Sequence, residues 1–404
     1  MKRIPFSSML LVAATFVATA SAAAMYWSQD VAQVPLARLS RNLRAAISRE
    51  PNNVEFIVNL ARVHAMSWSM RSDSVPALVS DRIYYLRMPG DTLPTAHPIE
   101  PMSVWFGHDV GYVPFSQIPP SKNPTSKETA HAHLDTAIVL YQSALKLDPT
   151  NTIARLGYAW LLSNTNNKKL AITELRAVTS AKSPPTQDGL GIHAEAAGYL
   201  IPLLDSVKDR REIARLRDTI ETEHMRMRTV TPIAIPLRDG MTAGNVESSG
   251  ARVKFDADGS GLQRNWTWIT RNAAWLVYDP KHSGHITSSL QLFGNVTFWM
   301  FWANGYNALS SLDDNHDGKL TAHELEGLAL WRDANANGIS DPGEVQSISK
   351  YGIIALSCVS ERDNSHPDRI AFSRGGVTFR NGKTRSTFDI VLHAQPAAIV
   401  ANRQ

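Results

Sequence analysis

Two twelve-residue stretches of one design lie almost back to back late in this chain. The first reads Asp313-Asp314-Asn315-His316-Asp317-Gly318-Lys319-Leu320-Thr321-Ala322-His323-Glu324. The second reads Asp333-Ala334-Asn335-Ala336-Asn337-Gly338-Ile339-Ser340-Asp341-Pro342-Gly343-Glu344. Each places oxygen-bearing side chains at loop positions 1, 3, 5 and 9, glycine at 6 and glutamate at 12. Asp, Asn and Gly build surface turns without any metal. Two stretches that share the glycine and the distant glutamate ask for more than a turn. A hard cation that takes six to eight oxygens at ~2.3–2.6 Å requires this spacing, with the last glutamate closing the shell through both oxygens. The glycine permits the sharp bend. The expected ligands are Asp313, Asn315, Asp317, Lys319 through its carbonyl, Thr321 and Glu324, then Asp333, Asn335, Asn337, Ile339 through its carbonyl, Asp341 and Glu344.

These loops resemble the EF-hand family, and the resemblance implies calcium, at two sites. The arrangement departs from the family's usual pair. Only eight residues, Leu325 to Arg332, separate Glu324 from Asp333. Two complete helix–loop–helix units do not fit in that length, so LEGLALWR is expected to form one short helix shared by both loops. Position 8 is Leu320 in one loop and Ser340 in the other. That argues against the apolar coupling of an opening switch and for a calcium-clamped, rigid module. Two weaker echoes lie upstream. Asp256-Ala257-Asp258-Gly259-Ser260-Gly261 has the early oxygens, but Thr267 stands where the glutamate belongs. Whether Asp256, Asp258 and Ser260 hold a third cation is left open. Asp279-Pro280-Lys281-His282-Ser283-Gly284-His285-Ile286 puts Lys281 at a ligand position and Leu290 at the closing one. It is expected to be a metal-free turn. The wider stretch, about residues 245–395, also resembles EF-hand-like modules of bacterial exported proteins.

The N-terminus has the order of a secretory signal, expected to cover residues 1–23. Lys2 and Arg3 precede an apolar run from Met9 to Ala20, and Ala20-Ser21-Ala22 forms a cleavage pattern. The expected location is periplasmic or secreted. Cys358 is the single cysteine, so no internal disulfide exists. Its run, Ile353 to Val359, reads as a buried strand. Hydrophobic content of 43% with 19% charged residues marks a folded chain rather than a disordered one. A net charge of +4 over 404 residues gives no reason to expect nucleic-acid binding.

The first half reads as helices. Residues 36–53 end at Pro51, and a second helix follows over 54–66, with Leu60, Ala61 and His64 inward. Further on, Ala137, Tyr141, Ala144 and Pro149 are followed by Ala171, Leu175 and Val178. Ala137 and Ala171 lie 34 residues apart, the period of a tetratricopeptide repeat. Small residues let two helices cross closely, and proline ends the second of each pair. These features resemble tetratricopeptide repeats over residues 36–183, interrupted by a proline-rich irregular insertion at about 66–129. Helix is expected to continue over 190–229. Residues 230–250, rich in Pro, Gly and Thr, are expected to be a linker. The last stretch, GGVTFRNGKTRSTFDIVLHA, has a hairpin turn at Asn381-Gly382.

Signals for catalysis are poor. His323-Glu324-Leu325-Glu326-Gly327 lacks the second histidine of a zinc-protease motif. Gly189-Leu190-Gly191 matches part of a dinucleotide fingerprint, but no strand precedes it. His131 and His133, two apart, point to different sides of a helix. Trp266, Trp268, Trp275, Trp299 and Trp302 fit core packing better than a sugar platform. The expectation is an α+β multidomain chain: a tetratricopeptide-like helical repeat domain over 24–229, then an EF-hand-like calcium-binding domain with a β-hairpin over 251–404. Its expected role is non-enzymatic. The repeats would bind a protein partner, calcium would be structural, and the repeats would fold without the metal. The alternative is an extracytoplasmic enzyme or carbohydrate-binding protein of an unrecognised type, also with structural calcium.

Overall fold

The computed structural model describes residues 33–72, 74–76, 124–165, 167–182, 191–224, 229–259, 263–365 and 369–394. The expected signal segment and most of the expected insertion lie outside them. Seven of the described helices belong to the first half: α1 (Leu36–Arg49), α2 (Val54–Met70), α3 (Lys127–Leu147), α4 (Thr152–Ser163), α5 (Lys168–Ser180), α6 (Ile192–Leu200) and α7 (Arg210–His224). Short polar caps start several of them. Asn53 Oδ1 accepts from the Phe56 amide, Ser126 Oγ from Thr129 and Asn151 Oδ1 from Ala154. The expected inward positions are inward: Ala137, Tyr141, Ala144, Ala171, Leu175 and Val178 are all fully buried. Gly157 of α4 is needed at the crossing with α3, because a Cβ there would fall 2.4 Å from the Tyr141 ring. Helix does not continue unbroken over 190–229. It stops after Leu200, where Pro202 at the start of a short 3-10 turn, Ile201–Leu203, ends the regular α pattern.

The strands form mainly one antiparallel sheet. Its path is β10 (Val345–Ser347), β9 (Leu328–Trp331), β7 (Ala273–Tyr278), β4 (Ile233–Pro236), β14 (Thr384–Ile390), β13 (Arg369–Phe379), β11 (Ile353–Ser357) and β8 (Lys319–Thr321), with β12 (Glu361–Arg362) beside β13. Three two-stranded pairs stand apart from this sheet: β1 (Gln33–Pro35) with β2 (Ser74–Pro76), β3 (Thr229–Val230) with β15 (Leu392–His393), and the hairpin of β5 (Glu247–Phe255) and β6 (Arg264–Ile269). The expected turn at Asn381-Gly382 joins β13 to β14, with Gly382 at φ +79°.

The sheet is covered on both faces at its centre. Ile233, Ile235, Leu276, Leu328 and Leu330 share a core with Leu36, Leu39, Leu43, Leu60 and Val63 of α1 and α2. The alternate residues, Ala234, Trp275, Val277, Ala329 and Trp331, pack against Val253, Phe255, Trp266 and Trp268 of the hairpin. This two-sided burial overturns two expectations. Residues 325–332 are not one helix: Leu328–Trp331 is a central strand, all four residues buried. A strand buried on both faces loses its alternation and cannot be told from a buried helix by period. The expected linker, 230–250, contains β4, which sits between β7 and β14. Its prolines stand at strand ends, where no ladder hydrogen bond is lost.

Helix α2 carries a polar stripe that grips the second half. Arg62 Nε donates to the Trp299 carbonyl at 2.7 Å, although Arg62 is 1% exposed. Asn59 exchanges two hydrogen bonds with the Phe301 backbone, each 2.9 Å. Glu55 accepts from the Ala303 amide and the Asn307 side chain. Spacings of four and three align such residues on one helix face. The segment they hold contains Phe298 and Trp299 at φ +60° and +65°, a backbone region costly for bulky residues. Among the described residues no helix is long and apolar enough to cross a membrane.

Candidate metal centre

Each loop adjoins the sheet. The first opens after a short helix, Gly305–Ser310, and leads into edge strand β8. The second follows β9 and leads into β10. In both, the residue at position 4 and the glycine at position 6 take left-handed backbone: His316 at φ +62° with Gly318 at +85°, and Ala336 at +56° with Gly338 at +73°.

The two loops share one hydrogen-bond scheme. The first aspartate accepts from the glycine amide, Asp313 from Gly318 at 2.9 Å and Asp333 from Gly338 at 2.8 Å. The side chain at position 5 accepts from the amide at position 7, Asp317 from Lys319 and Asn337 from Ile339. The closing glutamate spans the loop. Glu324 accepts from the amides of Asp314 at 2.8 Å and Thr321 at 2.9 Å, and Glu344 from those of Ala334 at 2.9 Å and Asp341 at 3.2 Å. These bonds tie the side chains at positions 1, 5 and 12 of each loop to that loop's own backbone.

Burial makes these groups unusual. Glu324 is fully buried, and Asp313 and Asp333 are 4% and 3% exposed. Of the seven loop carboxylates, the six expected ligands, Asp313, Asp317, Glu324, Asp333, Asp341 and Glu344, form no ion pair among the described residues, whereas Asp314 pairs with Arg38 and Arg41. Asp313 Oδ1 is buried with no hydrogen-bond partner. Burial pushes the Asp333 carboxyl above its usual range, against the Gly338 and Asn337 amides that pull it down, with Glu344 adding repulsion. Buried carboxylates without a counter-ion are costly, and an orphaned oxygen adds to the cost. An oxygen-preferring divalent cation fits this donor set.

Among the described residues one group of three metal-ligating side chains, Asp314, His323 and Glu324, has ligand atoms within 4.8 Å of one another. Asp314 is otherwise engaged. It accepts from Arg38 Nε at 3.0 Å, Arg41 Nη2 at 2.8 Å and Asn42 Nδ2 at 2.9 Å, all on α1. Burial raises its pKa, but these hydrogen bonds and the two guanidiniums outweigh that and hold the carboxyl near about 2. Asn42 also reaches the Ser311 carbonyl, Arg38 the Leu312 carbonyl and Arg49 the His316 carbonyl. Helix α1 thus clasps the first loop. Sequence reading missed Asp314, because its partners lie about 270 residues away.

At the upstream echoes, Gly259 takes φ +69° and Asp256 and Asp258 are buried, while Ser260 lies outside the described residues. Trp266, Trp268 and Trp275 are at most 1% exposed, and Trp299 and Trp302 are 4% exposed. All five belong to the core. Cys358 follows β11 and is half-buried, its amide donating to the Gly318 carbonyl of the first loop.

Among known proteins, residues 238–393 match the family described as the SPM domain. Residues 129–186 match a tetratricopeptide repeat family, so the helices α3 to α5 are tetratricopeptide-like. Neither match is to the EF-hand family. Over 171 residues the chain is 29% identical to the iron-regulated protein FrpA of Neisseria meningitidis serogroup C, covering 40% of this chain and 15% of that protein. The chain thus spans a small part of the length of that curated relative.

Proposed function

We propose that this chain is an exported calcium-binding protein in which the metal is structural and the helical repeats engage a protein partner. The observation that carries the calcium reading is the set of buried loop carboxylates without a counter-ion, with Asp313 Oδ1 orphaned among them. Asp313, Asn315, Asp317, the Lys319 carbonyl, Thr321 and Glu324 would hold one cation. Asp333, Asn335, Asn337, the Ile339 carbonyl, Asp341 and Glu344 would hold the other. The bound ion would supply the positive charge that these oxygens lack.

A structural role is favoured over a switch. Both loops are tied to strands of one sheet, and β9 between them is central. An opening motion would break ladder hydrogen bonds. The tetratricopeptide-like helices support the partner reading, since stacked helical repeats present an extended binding surface. The buried tryptophans favour this reading over a carbohydrate platform. Export rests on the N-terminal sequence pattern alone.

The test is calorimetric titration of the full chain with calcium, with magnesium as control. Two sites are expected, one lost in Glu324→Gln and the other in Glu344→Gln. Trp331 Nε1 lies 3.4 Å from Glu344 Oε2, so terbium in the second loop should luminesce on tryptophan excitation. Absence of heat and of luminescence would refute the reading.

A further inference from the structure

The turn at residues 279–290 has a backbone the sequence did not reveal. His282, at position 4, takes φ +53°, and Gly284, at position 6, takes φ +72°. Asp279 Oδ2 accepts from the Gly284 amide at 2.9 Å. This is the bond Asp313 and Asp333 make to their own glycines at 2.9 and 2.8 Å. Ser283 Oγ, at position 5, accepts from the His285 amide at position 7, as Asp317 and Asn337 do from theirs. Four features at five equivalent positions coincide across the three loops.

Two differences say what this third loop does. At position 5 the hydroxyl of Ser283 donates to Asp279 Oδ1 at 2.9 Å. In the first loop the corresponding set leaves Asp313 Oδ1 orphaned. Asp279 Oδ1 also accepts from the Ser283 amide at 2.9 Å, as Asp333 Oδ1 does from the Asn337 amide at 3.1 Å, so the serine hydroxyl adds a second donor where the other two loops carry Asp317 or Asn337. At position 12 stands Leu290, 1% exposed within the apolar core, so no carboxylate closes the shell. Internal hydrogen bonds, the buried Leu290 and backbone bonds of Asp279 to Gly327 and of Ser289 to Asp256 hold its shape in place of a closing carboxylate. It also faces the second loop in register: the Ile286 amide, at position 8, donates to Ser340 Oγ, at position 8 of its neighbour, at 2.9 Å.

We propose that Asp279–Leu290 is a calcium-loop copy that dispenses with the cation and serves as the pairing partner that holds the second loop in its binding shape. Ser283 and Ser340 are the positioning residues. The proposal rests on the calcium reading for its affinity consequence. The first loop has a different support, the α1 clasp, so the effect is confined to the second.

The test uses Ser283→Ala and Ser340→Ala in the full chain. Terbium luminescence sensitised through Trp331 reports the second loop. Calorimetry in a Glu344→Gln background reports the first. Each serine variant should weaken the second loop three- to tenfold and leave the first within twofold. Equal weakening of both loops, or of neither, overturns the proposal. Hydrogen exchange in chelator separates this from failure of the calcium reading. In wild type the Ile286 amide should be protected without any metal, and Ser340→Ala should remove that protection. If no metal binds anywhere, the calcium reading falls while a protected Ile286 amide still supports the pairing. Rapid exchange of that amide in wild-type protein overturns the pairing itself.

Discussion

His64 should make the helical half acid-sensitive in a defined window. Its Nε2 accepts from Arg44 of α1 at 3.0 Å. That assigns the ring proton to Nδ1, which meets Nδ1 of His133 on α3 at 2.7 Å. His64 is 5% exposed. Arg41 and Arg44 line the same cleft of about 510 Å³, and no carboxylate among the described residues does. Burial, then the neighbouring His133, then the Arg44 charge, push its pKa from 6.5 down to about 4. The unfolded chain therefore takes up this proton at higher pH than the folded chain. Between about pH 6.5 and 4 the unfolded state binds more protons, so stability falls as the pH falls. Below about 4 no further loss comes from this group. A shift of about 2.5 units corresponds to roughly 3 kcal/mol in full, of which about 2 kcal/mol is lost by pH 5. The assay is urea unfolding followed by helix circular dichroism at pH 7 and pH 5, in chelator, for wild type and His64→Gln. Glutamine keeps an acceptor for Arg44 but does not titrate. Carboxylates common to both proteins cancel in the double difference. Wild type should lose about 2 kcal/mol more than the variant between the two pH values. Equal losses would refute the assignment of a depressed histidine pKa to this contact.

Four further outcomes are expected. Calcium at a hundredfold excess over its dissociation constant should add about 2.7 kcal/mol per site, raising the melting temperature in a way that Glu324→Gln reduces. Binding of a hydrophobic dye should change little on calcium addition, because the metal stabilises rather than opens the sheet. Gly157→Ala should cost about 1–3 kcal/mol by overpacking against Tyr141, measured by urea unfolding, with calcium affinity unchanged. Asp314→Asn removes a charge held by Arg38 and Arg41, and should cost about 1–2 kcal/mol. Hydrogen exchange should quicken within residues 36–49 and stay unchanged in α5.

The turns at 313–324 and 333–344 were legible because the residues that shape their backbone lie within twelve positions. Glycine at position 6, oxygens on alternate positions and a distant glutamate form a local pattern. The helices around Ala137, Tyr141, Ala144, Ala171 and Leu175 were legible for a similar reason, since one face is buried and the spacing survives. The strand at 328–331 was not. Both its faces are covered, and Leu-Ala-Leu-Trp carries no alternation from which to choose. Ile233–Pro236 was read as linker because prolines and a short apolar run resemble a connection until neighbouring strands are in place.

What the sequence determined by itself was the turn geometry of the two loops, the helical repeat period and the hairpin turn at Asn381-Gly382. Each depends on residues close in the chain, where local sterics and short hydrogen bonds dominate. Tertiary structure alone decided the rest. It set Asp314 against Arg38, Arg41 and Asn42, and Glu55, Asn59 and Arg62 against a segment some 240 residues later. It also brought Ile286 to Ser340. These contacts join groups whose separation leaves no periodic trace, and they form only after burial of two apolar surfaces has fixed the sheet between the hairpin and α1–α2.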